Sequence, residues 1–497
     1  MCGIVALQGE TDPATVHSML DTIQHRGPDD RAVHDHRAGA TLGHTRLSVI
    51  DPGGGRQPLT ADGTALVCNG MIYNDRLLRA RIGPDRFSTE TDSESILQGY
   101  LAWGTAVVDH IDGMFAFVLV DRDGRCVAAR DPLGKKPLFW GRIGTAIVFA
   151  SEIKALDGLA DDIEIFPAGC VWDSRDGMRQ YYAVPQPSDG GYGECDALAS
   201  VRVGLERAIA RRLRSDVPLG AFLSGGLDSS VIAAIAQRHL GNLHTYAVGL
   251  LGSSDLAAAR RVAEHLGTIH HEYVIGPEEI TAALPGVIRH LESYDRDLVR
   301  SAVPTWFVAR EAARHMKVVL TGEGADELFA GYAYHADYTD DEALQEELHR
   351  SLTAMHSINL QRVDRMTMGH SLEARVPFLD REMIDLAMSL PAALKQRPEQ
   401  GCDGEKWILR KACEDLLPPE IVWRGKLQFD EGSGFSEYLA DHADRAFEAG
   451  EIESVGPDES VEEALYRQLL RDSDIHTDAV MGLTDHWRSG RTIDHAA

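Results

Sequence analysis

Residues 217–236 read VPLGAFLSGGLDSSVIAAIA, and no other stretch restricts the fold as much. An apolar run ends at Leu223. Ser224, Gly225 and Gly226 follow, then Asp228, Ser229 and Ser230, then a second apolar run of helical character. Two adjacent glycines let the backbone turn sharply and approach a ligand closely. Backbone N–H groups at the start of the helix make an anion site, and the serine hydroxyls add donors. Asp228 can hold Mg²⁺ bound to the same phosphates. The pattern is therefore strand, phosphate cradle, helix. It is not a Walker A loop, because no Gly-Lys-Ser/Thr follows.

The surrounding periodicity agrees. Leu198, Val201, Leu205, Ile209 and Leu213 share one helical face. From there LGAFL, LHTYAVGL and KVVLTG alternate with helical segments, which implies a parallel sheet covered by helices. From about residue 340 the chain reads as mostly helical, and TDDEALQEE at 339–347 reads as an exposed helix. Upstream, residues 1–184 are strand-rich. MCGIVAL, ATLGHTRLSVID, ALVCNGMIY, GMFAFVLVD and GTAIVFAS are separated by Gly, Asp and Pro turns, and PATVHSMLDTIQ is helical. That half is an α+β domain. Residues 185–194, rich in Pro, Gly and Ser, read as a linker, and residues 195–497 form the second domain.

A net charge of −28 disfavours nucleic acid and anionic membranes as partners. The seven cysteines (2, 68, 126, 170, 195, 402 and 413) have no CxxC spacing, which argues against a zinc site and a disulfide framework. With no signal peptide and no long apolar span, the expected compartment is the cytoplasm.

The string SGGLDSS resembles the pyrophosphate loop of ATP pyrophosphatases. Together with RGPDD, LGHTRLSVID, RDPLGKKPLFW, SEIKAL, FPAG, LTGEGADELFAGY and LEARVPFLD, the chain is similar to the glutamine-dependent asparagine synthetases from Met1 to about Gly490. The resemblance implies an N-terminal-nucleophile hydrolase domain of layered antiparallel sheets with helices, followed by an α/β ATP-pyrophosphatase domain. It implies ATP as co-substrate, Mg²⁺, glutamine and a small carboxylic acid as partners, and leaves a homodimer open.

By this resemblance Cys2 is the nucleophile, exposed by loss of Met1. A thiol of pKa about 8.5 and an α-amine of about 8 let one residue supply both nucleophile and base. Arg46, Leu47, Ile50, Asn69, Gly70, Met71 and Asp92 would bind glutamine. Arg46 would hold its carboxylate, Asn69 and Gly70 its oxyanion, and Asp92 its α-amino group. Met71 stands where the family usually has Glu. In the second domain Leu223, Val248, Thr321 and Gly322 would contact adenosine. Asp326 would join Asp228 on Mg²⁺, Glu323 would serve as acid/base, and Lys426 would stabilise the α-phosphoryl transition state.

The acceptor segment YDRDLVRSAVP keeps Arg300, but Asp297 and Leu298 replace two threonines. Aspartate is the leading acceptor and another small carboxylic acid the alternative. Two further readings stay open: a ligase using ammonia or an internal amine, and a non-catalytic nucleotide-binding protein. Two active sites would require an apolar passage for ammonia.

Overall fold

The computed structural model describes residues 2–397, 404–425, 428–457, 459–473 and 475. The N-terminal half contains two six-stranded antiparallel sheets. The first runs in space Asp161–Ile165, Phe139–Ile143, Ala146–Ala150, Cys2–Gln8, Ala40–Arg46, Asp30–His36. The second runs Gly177–Gln180, Cys170–Asp173, Cys126–Arg130, Gly113–Val120, Thr64–Ile72, Leu59–Ala61.

Strand alternation explains how they stack. Ile4 and Ala6 point into a core shared with Ala65, Val67, Ala116 and Val118 of the second sheet. Val5 and Leu7 point the other way, onto Val16, Met19 and Leu20 of helix Pro13–Thr22. Both faces are covered, so the strand is apolar at consecutive positions. Helix Glu94–Trp103 covers the outside of the second sheet through Ile96, Leu97 and Tyr100.

The C-terminal half is built on a parallel sheet in the order Ile269–Val274, His244–Gly249, Leu219–Phe222, Val318–Leu320, Glu373–Arg375. The first strand in sequence is central, and the chain then winds out in both directions. A topological switch point lies beside it, where the loops after Phe222 and Leu320 diverge. Such crevices bind ligands in open α/β sheets. Three of these strands were legible in sequence. IHHEYV and the short pairing inside LEARVPFLD were not, because the first carries three polar residues and the second is three residues long.

Two expectations change. Helix Asp341–Ala354 forms over the acidic run, but Leu344, Glu347 and Leu348 are buried rather than exposed. Residues 185–193 lack regular structure, yet they are fixed to the second half: Ser188 N–H donates to Met388 O and Gly190 N–H to Ser389 O, both at 2.9 Å.

A buried ionic cluster joins the halves. From the first come Arg26, Lys136, Glu152 and Lys154; from the second, Glu292, Asp364 and Arg365. Glu292 accepts from the Ile153 and Lys154 backbone N–H groups at 3.1 and 2.8 Å and pairs with Arg365 at 2.8 Å. Removing one charge from such a set leaves the others buried without compensation. Glu292→Gln is therefore expected to destabilise the protein by about 3–5 kcal/mol, measured as a fall in melting temperature. An unchanged melting temperature would contradict this account of the interface.

Candidate active sites

The first site forms where the two antiparallel sheets meet. Cys2 begins its strand directly opposite Arg46, so the two side chains share a face. Cys2 is 6% exposed. Its backbone N–H donates to Asn69 Oδ1 at 3.0 Å, and its carbonyl accepts from Arg26 Nε at 3.0 Å. Burial raises the thiol above its ordinary value, while the Leu47 N–H and the Arg46 guanidinium act in the opposite direction. Of the expected glutamine-binding residues, Arg46 comes from the first sheet, Asn69, Gly70 and Met71 from the second, Leu47 and Ile50 from the turn after Arg46, and Asp92 from the turn before helix Glu94–Trp103.

Asn69 is fully buried, and its Nδ2 has no partner among the described residues. A buried donor left unpaired is costly, and one held beside the Cys2 strand end could receive an oxygen that gains charge. Gly70 follows in the same strand. A Cβ there would lie 2.3 Å from Met114 O, so only glycine fits against the neighbouring strand. Arg46 is held by carbonyls of its own turn, with Nη2 at 3.2 Å from Ile50 O and 2.7 Å from Asp51 O. Asp92 is buried and accepts from Ile72 N–H at 2.6 Å; burial pushes its carboxyl up to about 6.

Met71 is also buried. It packs with Leu47, Val49, Ile50 and Met114 against Val318 and Met368 of the second half. Met71 is thus part of an apolar contact between the domains.

The second site is a cavity of about 470 Å³ at the switch point. Leu223, Ser224, Gly226, Asp228, Ser229, Thr321, Gly322, Glu323, Asp326, Asp297 and Arg300 line it. Helix Leu227–Leu240 starts at its wall. The cradle is closed by its own hydroxyls: Ser229 Oγ accepts from Ser224 N–H at 3.2 Å, and Ser224 Oγ accepts from Gly226 N–H at 3.3 Å. Gly225 has φ +76°, and a Cβ there would lie 2.4 Å from Ala259 N; its role is packing against helix Ser254–Leu266. Gly225, Ser230 and Val248 are absent from the cavity wall.

The cation held against the cradle acids, among the described residues, is Lys406, which the sequence reading missed. Its Nζ lies 2.6 Å from Asp228 Oδ2 and 2.6 Å from Asp326 Oδ1, and the residue is 1% exposed. The only signal in sequence is a lysine preceding the apolar helix Trp407–Ala412. Lys426 lies outside the described residues. Asp228 and Asp326 do converge on one point where positive charge is held, and carboxylate oxygens suit Mg²⁺.

The arginines at the acceptor end already have acidic partners. Arg362 pairs with Glu323 at 2.6 Å. Arg296 pairs with its neighbour Asp297 at 2.8 Å. Arg300 is gripped by both carboxylate oxygens of Glu462, from helix Val461–Asp472. The expectation that Arg300 is available to an acceptor meets a guanidinium already engaged. No described helix is long and apolar enough to cross a membrane.

Comparison with known proteins agrees with this geometry. A glutamine amidotransferase domain model matches residues 1–166, and an asparagine synthase model matches residues 200–340 and 335–488. The chain is 39% identical over 474 residues to a glutamine-hydrolysing asparagine synthetase of Triphysaria versicolor, covering 90% of this chain and 80% of that protein. It is 40% identical over 474 residues to glutamine-hydrolysing asparagine synthetase 3 of Arabidopsis thaliana, covering 90% and 82%. With an N-terminal-nucleophile amidotransferase domain, a parallel-sheet synthetase domain and these relatives along nearly its whole length, the chain belongs to the glutamine-hydrolysing asparagine synthetase family.

Proposed function

We propose that the protein is an ATP-dependent amide-forming ligase that takes nitrogen from glutamine and transfers it to a carboxylate, with aspartate the leading acceptor. The reading is carried by one juxtaposition: Cys2, with Asn69 Nδ2 beside it and without a partner among the described residues, shares a chain with a cavity lined in part by Ser224, Gly226, Asp228 and Ser229 of the cradle.

In the first site the Cys2 thiol gives its proton to the α-amine freed by loss of Met1. The thiolate attacks the glutamine amide carbon. Asn69 Nδ2 and the Gly70 N–H receive the oxyanion, Arg46 the glutamine carboxylate and Asp92 its ammonium. Ammonia leaves, and water releases glutamate from the thioester. Leu47, Ile50, Met71 and Met114 against Val318 and Met368 offer ammonia an apolar surroundings toward the second domain. Low polarity disfavours the ammonium form and preserves the lone pair.

In the second site the acceptor carboxylate attacks the α-phosphorus of ATP. The pyrophosphate that leaves is held by the cradle N–H groups and hydroxyls. Lys406 keeps Asp228 and Asp326 from repelling each other and stands ready for phosphate oxygens. Mg²⁺ held by Asp228 and Asp326 would neutralise phosphate charge. Ammonia then attacks the acyl carbon, AMP departs, and Glu323, oriented by Arg362, takes the surplus proton. The identity of the acceptor has a second reading, another small carboxylic acid, because Asp297 faces the cavity and Arg300 is held by Glu462.

Cys2→Ala is expected to abolish glutamine-driven pyrophosphate release while ammonia-driven release persists. Glutamine-driven turnover surviving in that variant would refute the first-site mechanism. Because Asp92 titrates near 6, it is neutral below that pH and loses its hold on the glutamine ammonium. Glutamine KM should therefore climb as pH falls through about 6. Asp92→Asn should raise KM roughly ten- to a hundredfold and flatten the profile. Lys406→Met should lower kcat for pyrophosphate release by about a hundredfold, read by ATP–pyrophosphate exchange with an acid panel that includes aspartate.

A further inference from the structure

Charge does not balance at the acceptor end of the synthetase cavity. Arg296, Arg300 and Arg362 line this wall, and each already has a carboxylate. Arg296 pairs with Asp297 at 2.8 Å and Arg362 with Glu323 at 2.6 Å. Arg300 pairs with Glu462, which also accepts from the Tyr466 O–H at 3.0 Å. Nearby, Arg424 pairs with Asp255 at 2.8 Å. Asp430 lines the same cavity and is 7% exposed. No other described residue forms a hydrogen bond or ion pair with its carboxylate. Glu431 beside it is exposed and turns back to accept from Gln428 N–H at 3.1 Å. Among the described residues, the buried charge left over at this wall is therefore negative.

The main chain around Asp430 is held in place. Asp430 belongs to the short helix Phe429–Gly432. Ser253 Oγ donates to Gly432 O at 2.9 Å, and Leu250 N–H donates to Ser433 O at 3.0 Å. Burial raises the Asp430 carboxyl above its ordinary value, while its own backbone N–H and the charges of Arg362 and Arg300 oppose the rise. A buried carboxylate without a partner is costly, and a cation entering the cavity would remove that cost. Divalent ions take their oxygen ligands in sets, so a single carboxylate suits a singly charged ammonium better.

We infer that Asp430 anchors the ammonium group of the acceptor, so the acid adenylated here is an amino acid and not a plain carboxylic acid. The inference rests on the proposed ligase function and adds what selects its acceptor. Aspartate meets the requirement. Succinate, the same carbon chain without the amine, leaves Asp430 buried and unpaired, and a site built around such a contact discriminates strongly against an analogue that lacks it.

The test measures ATP–pyrophosphate exchange by the full chain with matched pairs of acids, aspartate with succinate and glutamate with glutarate. The parent should prefer the amino member of the pair it uses, with a KM at least about tenfold lower. Asp430→Asn should raise that KM about ten- to a hundredfold with little change in kcat. The same variant should leave KM for the desamino acid unchanged or lower, and Asp430→Glu should recover part of the preference. A parent that uses the desamino acid as well as its partner overturns the proposal. So does an Asp430→Asn variant whose KM for the amino acid is unchanged, or rises equally for both members of the pair. If Asp430→Asn fails to fold by circular dichroism, Asp430→Ser is judged by the same criteria, and both variants unfolded would assign Asp430 to folding and overturn the proposal. A parent with no pyrophosphate exchange on any acid would instead remove the ligase function, and this inference with it.

Discussion

The structure depends on charges that have been taken out of water at the seam between its halves. Arg26, Lys136, Lys154 and Arg365 face Glu152, Glu292 and Asp364 with almost no solvent. Desolvating such groups is expensive, and their mutual attraction compensates only when every partner is in place. The set therefore behaves as a register: the domains fit in the arrangement that pairs these groups, and competing arrangements leave buried charges alone. The apolar cluster of Leu47, Ile50, Met71 and Met114 with Val318 and Met368 adds area to the same seam but little directionality.

Each site is assembled within one half, from elements that the packing of that half brings together. Cys2 and Arg46 come from paired strands of one sheet, while Asn69 arrives from the other. The cradle at 224–229 is local in sequence, but its lysine comes from beyond residue 400. Lys406 and Arg362 share a logic. Each holds the acids that the chemistry needs close together, so that mutual repulsion among Asp228, Asp326 and Glu323 does not open the wall.

Much of this was legible in the order of residues. The cradle, the alternation of strand and helix after residue 195, and the strand-rich first half follow from periodicity and glycine placement. The candidate glutamine-binding residues were proposed only through resemblance, because an isolated Arg46 or Asp92 carries no signature. Composition reports solvent preference only on average: Ser188 and Gly190 of the linker are tied to main-chain carbonyls, and Leu344 and Glu347 of the acidic helix turn inward. The role of Met71 was unreadable, since an apolar residue in place of an acid has meaning only once its neighbours are known.

By itself the sequence determined the local elements: where strands end and where the backbone can turn tightly. Those follow from short-range sterics and hydrogen bonding, which act within a few residues. Only the tertiary structure decided which charge answers which. Lys406 and Asp228 are 178 positions apart, and Lys136 and Asp364 are 228 apart. Arg300 was free to be read as a substrate anchor until Glu462 proved to hold it. Coulombic attraction has no sequence signature, so partners are fixed by packing, after the strands and helices already exist.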